Sequence, residues 1–203
     1  MRVGILASGE GSNLQAILDR VDGRDGVEVV AVGSDKPGAR ALERARAAGV
    51  PARAFPAGEH ADRGARDVAM ADWLAASGVE LVVLAGYMQL VEPAFLARFS
   101  RRVINVHPTL LPAFPGIGAV EQALAYGVKV FGVTVHFVDE GVDTGAIIAQ
   151  RAIELPDATD AAAVRKALQP LEHDVLCEVV RLIARGEVAP DADHPRRILV
   201  RRR

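Results

Sequence analysis

Short apolar runs alternating with longer helical patterns predict an α/β protein built on one doubly wound, mostly parallel sheet. Two observations carry that expectation. Residues 3–7, 27–33, 81–85 and 103–106 are almost continuously apolar, as strands covered on both faces are. Residues 12–21, 39–48, 63–76 and 93–99 lie between them and place apolar side chains at helical spacing. Strand–helix–strand repetition requires right-handed crossovers, and these wind the sheet.

In chain order, the first helix can be capped by Ser12, and Gly49 and Gly78 stand where the next helices need C-caps. After Pro115 the pattern changes. A short helix over 119–126 leads to a strand over 130–137 and another over 145–153. The loop between these strands is short, so they pair antiparallel. Residues 161–183 read as a helix interrupted by Pro170. An interior proline costs about 3 kcal/mol, so a break or kink is expected near Gln169.

The 203-residue chain reads as a single domain with a sizeable core. A net charge of −2 argues against a general polyanion binder. The basic tail, residues 191–203, holds Arg196, Arg197, Arg201, Arg202 and Arg203 without interleaved aromatics, so it reads as a frayed, solvated terminus rather than a nucleic-acid arm. Cys177 stands alone in an apolar helical pattern, as a small core residue. No Cys/His cluster has metal-ligand spacing. No segment has the apolar length of a membrane span, and the start does not read as a signal peptide, so the expected location is cytoplasmic.

The loop Ser8-Gly9-Glu10-Gly11-Ser12-Asn13-Leu14 follows the first strand and opens a helix. Its glycines admit a ligand close to the backbone, and a helix N-terminus attracts anions. A phosphate is the natural guest; a turn without a ligand is the alternative. A dinucleotide fingerprint fits less well, because Leu14 occupies the third glycine position. Asp35, before Lys36-Pro37-Gly38, reads as part of a turn rather than a ribose ligand. Tyr87, Met88, Gln89, Leu90 and Val91 suit either a planar-ligand pocket or the core.

Asn105 and His107, two apart at the end of a strand, project to one side, and Pro108 and Pro112 stiffen the exit. Asparagine can hold a developing oxyanion, and histidine can move a proton near neutral pH. Asp139, Glu140 or Asp143 in the later turn-rich loop could supply a carboxylate that favours imidazolium. No serine or cysteine stands beside His107 in sequence. The set therefore suits acyl transfer by direct attack of a substrate amine. The alternative is a strand-end histidine satisfied by backbone carbonyls. His136, within a β-branched and aromatic run, reads more readily as a satisfied sheet histidine, with a place near the site as the second reading.

These motifs resemble the phosphoribosylglycinamide formyltransferase family. The resemblance runs through residues 6–17 and 84–88, Ile104-Asn105-Val106-His107-Pro108, residues 110–116, residues 132–138 and Asp143-Thr144-Gly145. It implies a Rossmann-like formyltransferase fold, with a nucleotide-phosphate half over about 1–100 and a catalytic and folate half over about 101–190. It also implies formyl transfer from 10-formyltetrahydrofolate to the amine of glycinamide ribonucleotide in purine biosynthesis, without a metal. Asn105, His107 and Asp143 match the catalytic trio. Gly11, Ser12 and Asn13 match the phosphate segment, and Gln169 and Glu172 match contacts to the glycinamide substrate. Arg63, Met88, Gln89, Leu90, Val91 and Asn105 match folate-binding positions. The partners implied are small molecules, with no nucleic acid and no membrane; a homodimer is possible.

Three positions depart from the family pattern: Gln89 replaces a basic residue, residues 117–120 replace a more polar segment, and Pro170 separates Gln169 from Glu172. Formyltetrahydrofolate deformylase carries an N-terminal regulatory domain, for which a first strand at Arg2 leaves no room. Methionyl-tRNA formyltransferase carries a further C-terminal domain, where this sequence has only the arginine-rich tail. An inactive binding protein of the same fold is the remaining alternative, and the intact trio argues against it.

Overall fold

The computed structural model describes residues 1–194 and 196–201. Packing of the backbone divides the chain into two compact units, Met1–Asn105 and the residues from Val106 onward.

The first unit holds β1 (Arg2–Leu6), α1 (Ser12–Arg20), β2 (Glu28–Ser34), α2 (Arg40–Ala47), β3 (Ala52–Ala54), α3 (Arg63–Ala76), β4 (Leu81–Leu84) and α4 (Pro93–Arg98). It ends within β5 (Val103–His107). β1 pairs parallel with β2 and β4, β2 with β3, and β4 with β5. All four residues of β4, and all of β1 after Arg2, are buried. Consecutive buried residues on a strand mean that both sheet faces are covered, which is why these runs are apolar without alternation. β3 was not expected: it is short and half-buried, and its Arg53 is exposed, so it carries no apolar signal.

The second unit holds α5 (Ala119–Tyr126), β6 (Val130–Phe137), β7 (Ile147–Glu154), α6 (Ala161–Ala184), β8 (Val188–Pro190) and β9 (Ile198–Val200). β6 and β7 are antiparallel, and α6 packs on both. The strand order of the large sheet is β3-β2-β1-β4-β5-β6-β7.

Three local expectations are corrected. Ser12 does not cap α1; it is the first helical residue. The N-cap is Gly11 at φ +71, with no side-chain hydrogen bond. A Cβ at Gly11 would lie 2.8 Å from the Cα of Ala41, so glycine is required there by backbone conformation and by the close approach of α2. Pro170 does not break α6, which runs continuously from Ala161 to Ala184. Val164 and Leu168 before the proline and Val175, Leu176, Val179 and Val180 after it are all buried, whereas Pro170 is exposed. Packing of the apolar face holds both halves in one helix, with Pro170 on its exposed side. The tail is not frayed over its described part: Ile198–Val200 forms a hairpin with Val188–Pro190. Arg202 and Arg203 lie outside the described residues.

Candidate active site

His107 is the last residue of β5 and is 5% exposed. Both of its ring nitrogens face oxygen. Nε2 lies 2.9 Å from the carbonyl oxygen of Phe114, which can only accept, so this nitrogen donates. Nδ1 lies 3.3 Å from Oδ2 of Asp143. Phe114 and Asp143 both adopt left-handed backbone, at φ +54 and +53. Such conformations cost about 1–3 kcal/mol in residues other than glycine and persist where surrounding contacts enforce them. The imidazole is thus gripped from both ends by strained residues. β5 also carries Asn105, half-buried, two residues earlier and so on the same side of the strand.

The loop that turns round Phe114 is tied to β6 through one hydroxyl. The Thr134 Oγ1 donates to the Thr109 carbonyl at 2.7 Å and accepts from the Leu111 amide at 3.1 Å. Gln150 of β7 donates to this hydroxyl and to the Leu111 carbonyl, both at 2.9 Å. Within the loop, Thr109 donates to the Ala113 carbonyl at 2.7 Å.

Asp143 lies between β6 and β7. Its Oδ2 also accepts the Gly116 amide at 2.8 Å, and its Oδ1 lies 3.4 Å from Nε2 of His136. Nδ1 of His136 lies 2.8 Å from the Phe137 carbonyl oxygen, so His136, like His107, is aimed at an acceptor through each nitrogen. Burial alone raises the pKa of Asp143. The His136 hydrogen bond, the Gly116 amide and the charges of His107 and His136 outweigh it and bring the value down to about 2. Asp143 is therefore a carboxylate at any physiological pH. Asp139 serves a different purpose: its Oδ1 accepts the Gly141 amide at 3.1 Å and the Thr144 hydroxyl at 2.6 Å, closing the turn. Of the acids that spacing leaves open, Asp143 is the one that faces His107.

In the first unit, the Gly9 carbonyl accepts the Ala41 amide at 3.1 Å, and nothing lies near the space where a Gly9 side chain would be. α1 starts at this loop without a side-chain cap. Leu14 is fully buried, which fits helix packing and not a third glycine. Around Asp35, the Lys36 amide donates to Ser34 Oγ and the Ala39 amide to the Lys36 carbonyl, as in a turn.

The segment after β4 is pinned at both ends. The Met88 amide donates to Ser8 Oγ at 2.9 Å, and the Glu92 amide donates to Oδ2 of the buried Asp67 at 2.8 Å. Tyr87 belongs to the core, with its hydroxyl on Met70 Sδ. Met88 and Leu90 stand out at 61% and 55% exposed. Arg63 forms an ion pair with Glu92.

A family model described as formyl transferase matches residues 1–180. The phosphoribosylglycinamide formyltransferase of Bacillus subtilis is 43% identical over 191 residues, covering 91% of this chain and 97% of that protein. Its counterpart in Mycobacterium tuberculosis is 45% identical over 183 residues, covering 90% and 85%. The crystal structure of glycinamide ribonucleotide transformylase 1 from Symbiobacterium toebii superposes with a TM-score of 0.94. It is 46% identical and is matched over 98% of this chain and 93% of that one.

The chain belongs to the phosphoribosylglycinamide formyltransferase family. Against that identity, the structure brings together His107 and Asp143, two of the residues that the resemblance to phosphoribosylglycinamide formyltransferases marks as catalytic, and adds His136. Asn105 shares β5 with His107. Gly11, Ser12 and Asn13 open α1. Gln169 is exposed and Glu172 half-buried, both on the continuous α6. Gln89 and Val91 are half-buried in the pinned segment, and Arg63 is the first residue of α3. Sequence reasoning ranked His136 second and did not single out Thr134; the structure places His136, buried and partnered through both nitrogens, against Asp143. A signal existed: Gly132, Thr134 and His136 alternate along β6 with Phe131, Val133 and Val135, so one face of the strand is small or polar. Among the described residues, no group of three or more His, Cys, Asp or Glu could hold a metal ion, and no helix is long and apolar enough to cross a membrane.

Proposed function

We propose that this member of the family transfers the formyl group of 10-formyltetrahydrofolate to the amine of glycinamide ribonucleotide in purine biosynthesis. The coarser part, formyl transfer as a phosphoribosylglycinamide formyltransferase, follows from the family. The observation that carries the finer reading is the clamped His107. It has no serine or cysteine nucleophile beside it in the described contacts but a carboxylate with a pKa of about 2. Such a group moves and stabilises charge rather than activating a covalent nucleophile.

In this reading the substrate amine attacks the formyl carbon directly and a C–N bond forms. The carbonyl oxygen takes up negative charge, which the Asn105 amide and the His107 imidazolium stabilise. The bond from the formyl carbon to the folate nitrogen then breaks. The His107 imidazolium gives its proton to that nitrogen and then takes up the proton lost by the attacking amine, which restores the imidazolium. Asp143 stays ionised throughout and holds the imidazole in orientation.

The first-unit features fit the two substrates. The uncapped N-terminus of α1, with Gly11, Ser12 and Asn13, offers backbone donors and partial positive charge to the phosphate of the ribonucleotide. Met88 and Leu90, exposed on a segment fixed at both ends, offer apolar surface to a planar group, with Gln89 and Val91 beside them. Arg63 supplies positive charge for the folate once Glu92 yields it. Gln169 and Glu172 on α6 are assigned to the glycinamide portion.

The test is an assay with purified protein, 10-formyltetrahydrofolate and glycinamide ribonucleotide. Equal amounts of tetrahydrofolate and formylated ribonucleotide are expected. Release of formate without a requirement for the ribonucleotide would instead make water the acceptor, and binding without turnover would leave only a ligand-binding protein.

A further inference from the structure

The β8–β9 hairpin reaches the loop that presents Asp143. Arg196, two residues before β9, donates from Nη2 to the Thr144 carbonyl at 2.8 Å. That bond lands one residue after Asp143. The hairpin is itself held in place. β9 packs against β7, the Asp191 amide donates to the Arg197 carbonyl at 2.8 Å, and the Arg201 amide donates to the Glu187 carbonyl at 2.8 Å. Arg196 is thus delivered by a folded element.

The loop needs such a restraint. Asp143 sits at φ +53, a conformation that persists only where its surroundings enforce it. Asp139 closes the turn through the Gly141 amide and the Thr144 hydroxyl. Gly145 passes so close to the Phe137 carbonyl that a Cβ would lie 1.7 Å from its oxygen. The Gly116 amide holds the carboxylate itself. These contacts fix one side of the Thr144 peptide, and Arg196 fixes its carbonyl. A guanidinium-to-carbonyl bond is charge-assisted and directional.

We propose that Arg196 is a positioning residue for the transfer reaction: by gripping the Thr144 carbonyl it holds Asp143 with its carboxylate turned to His107 and His136. This rests on the role given to Asp143 above. Neither the resemblance nor the charge pattern of the tail points to it.

The test compares Arg196→Ala, Arg196→Lys and, as a control, Arg197→Ala, whose own partner is Asp191. Hydrogen exchange of the Gly116 amide reads the placement of the Asp143 carboxylate without reference to activity. In Arg196→Ala, exchange at Gly116 is expected to quicken about three- to tenfold and kcat to fall by a similar factor, the range of one lost hydrogen bond. KM for both substrates should stay within about twofold, because the contact touches neither. Arg196→Lys should recover part of the loss, and Arg197→Ala should match the wild type. Unchanged exchange and unchanged kcat in Arg196→Ala overturn the proposal. So does faster exchange spread over all amides with a lowered melting temperature, which marks a purely structural role. Faster exchange confined to Gly116 with unchanged kcat overturns it through the role of Asp143, not through the contact.

Discussion

Nε2 of His136 lies 3.4 Å from Oδ1 of Asp143, while His107 faces the other oxygen, Oδ2, at 3.3 Å. One carboxylate therefore serves two imidazoles, and each imidazole turns its second nitrogen to a backbone carbonyl. Asp143 is the shared counter-charge of the site, and His136 is its second anchor.

That arrangement predicts a pH dependence of stability. The folded-state pKa of Asp143 is lowered from 3.8 to about 2. A lowered carboxylate pKa contributes stability that is complete above the unfolded value and lost as pH falls through the folded one. Between about pH 4 and pH 2 the wild type should therefore lose stability more steeply than Asp143→Asn. Urea unfolding at a series of acid pH values measures both slopes, and equal slopes would remove Asp143 from the ledger of acid-sensitive groups.

His107 and His136 should separate kinetically. Removing the proton carrier, His107→Ala, is expected to lower kcat by about 10²–10⁴-fold, with KM for either substrate changed only a few-fold. His136→Asn removes one of several contacts to Asp143 and is expected to cost about tenfold in kcat. Steady-state kinetics with both substrates decides this. A His136 variant as impaired as the His107 variant would show that the two rings act as a unit.

Gly145 is a steric requirement. A Cβ there would collide with the Phe137 backbone. Gly145→Ala must therefore push the β6–β7 connection apart and displace Asp143. The expected loss is at least about 1–3 kcal/mol of stability, together with most of the activity. A melting temperature equal to the wild type would mean that the loop absorbs the methyl group elsewhere.

Thr134 holds the loop that presents the Phe114 carbonyl to His107. Thr134→Val keeps the shape but leaves the buried Leu111 amide and Thr109 carbonyl without the hydroxyl they share. This is expected to cost about 1–3 kcal/mol. Thr134→Ser, which keeps the hydroxyl, should lose much less, and comparison of the two by denaturant unfolding isolates the hydrogen bonds.

Much of the fold was legible in the sequence because its signals are local. Buried parallel strands must be apolar on both faces, so β1, β2, β4 and β5 announced themselves. Gly49 and Gly78, at φ +75 and +71, mark helix ends through backbone sterics alone. β3 stayed hidden because an edge strand of three residues buries too little to carry a pattern. The β8–β9 hairpin stayed hidden because arginines flank Ile198, Leu199 and Val200, and their pairing with Val188–Pro190 is not a local property. Pro170 misled for the opposite reason: its helix-breaking tendency is local, and the buried face on either side overrode it.

The candidate site divides the same way. Residue type and spacing by themselves placed Asn105 and His107 on one strand face and offered Asp139, Glu140 and Asp143 of the later loop as carboxylates for the histidine. Alternation along a strand is covalent geometry and requires no fold. Spacing left the acid open and the resemblance pointed to Asp143; only the tertiary structure brings its carboxylate against His107, joins His136 to it and lays Arg196 beside Thr144. Those relationships depend on left-handed backbone at Asp143, on the close approach at Gly145 and on a hairpin folding back to the β6–β7 loop. Distances between groups far apart in the chain are set by packing, and packing is a property of the whole fold.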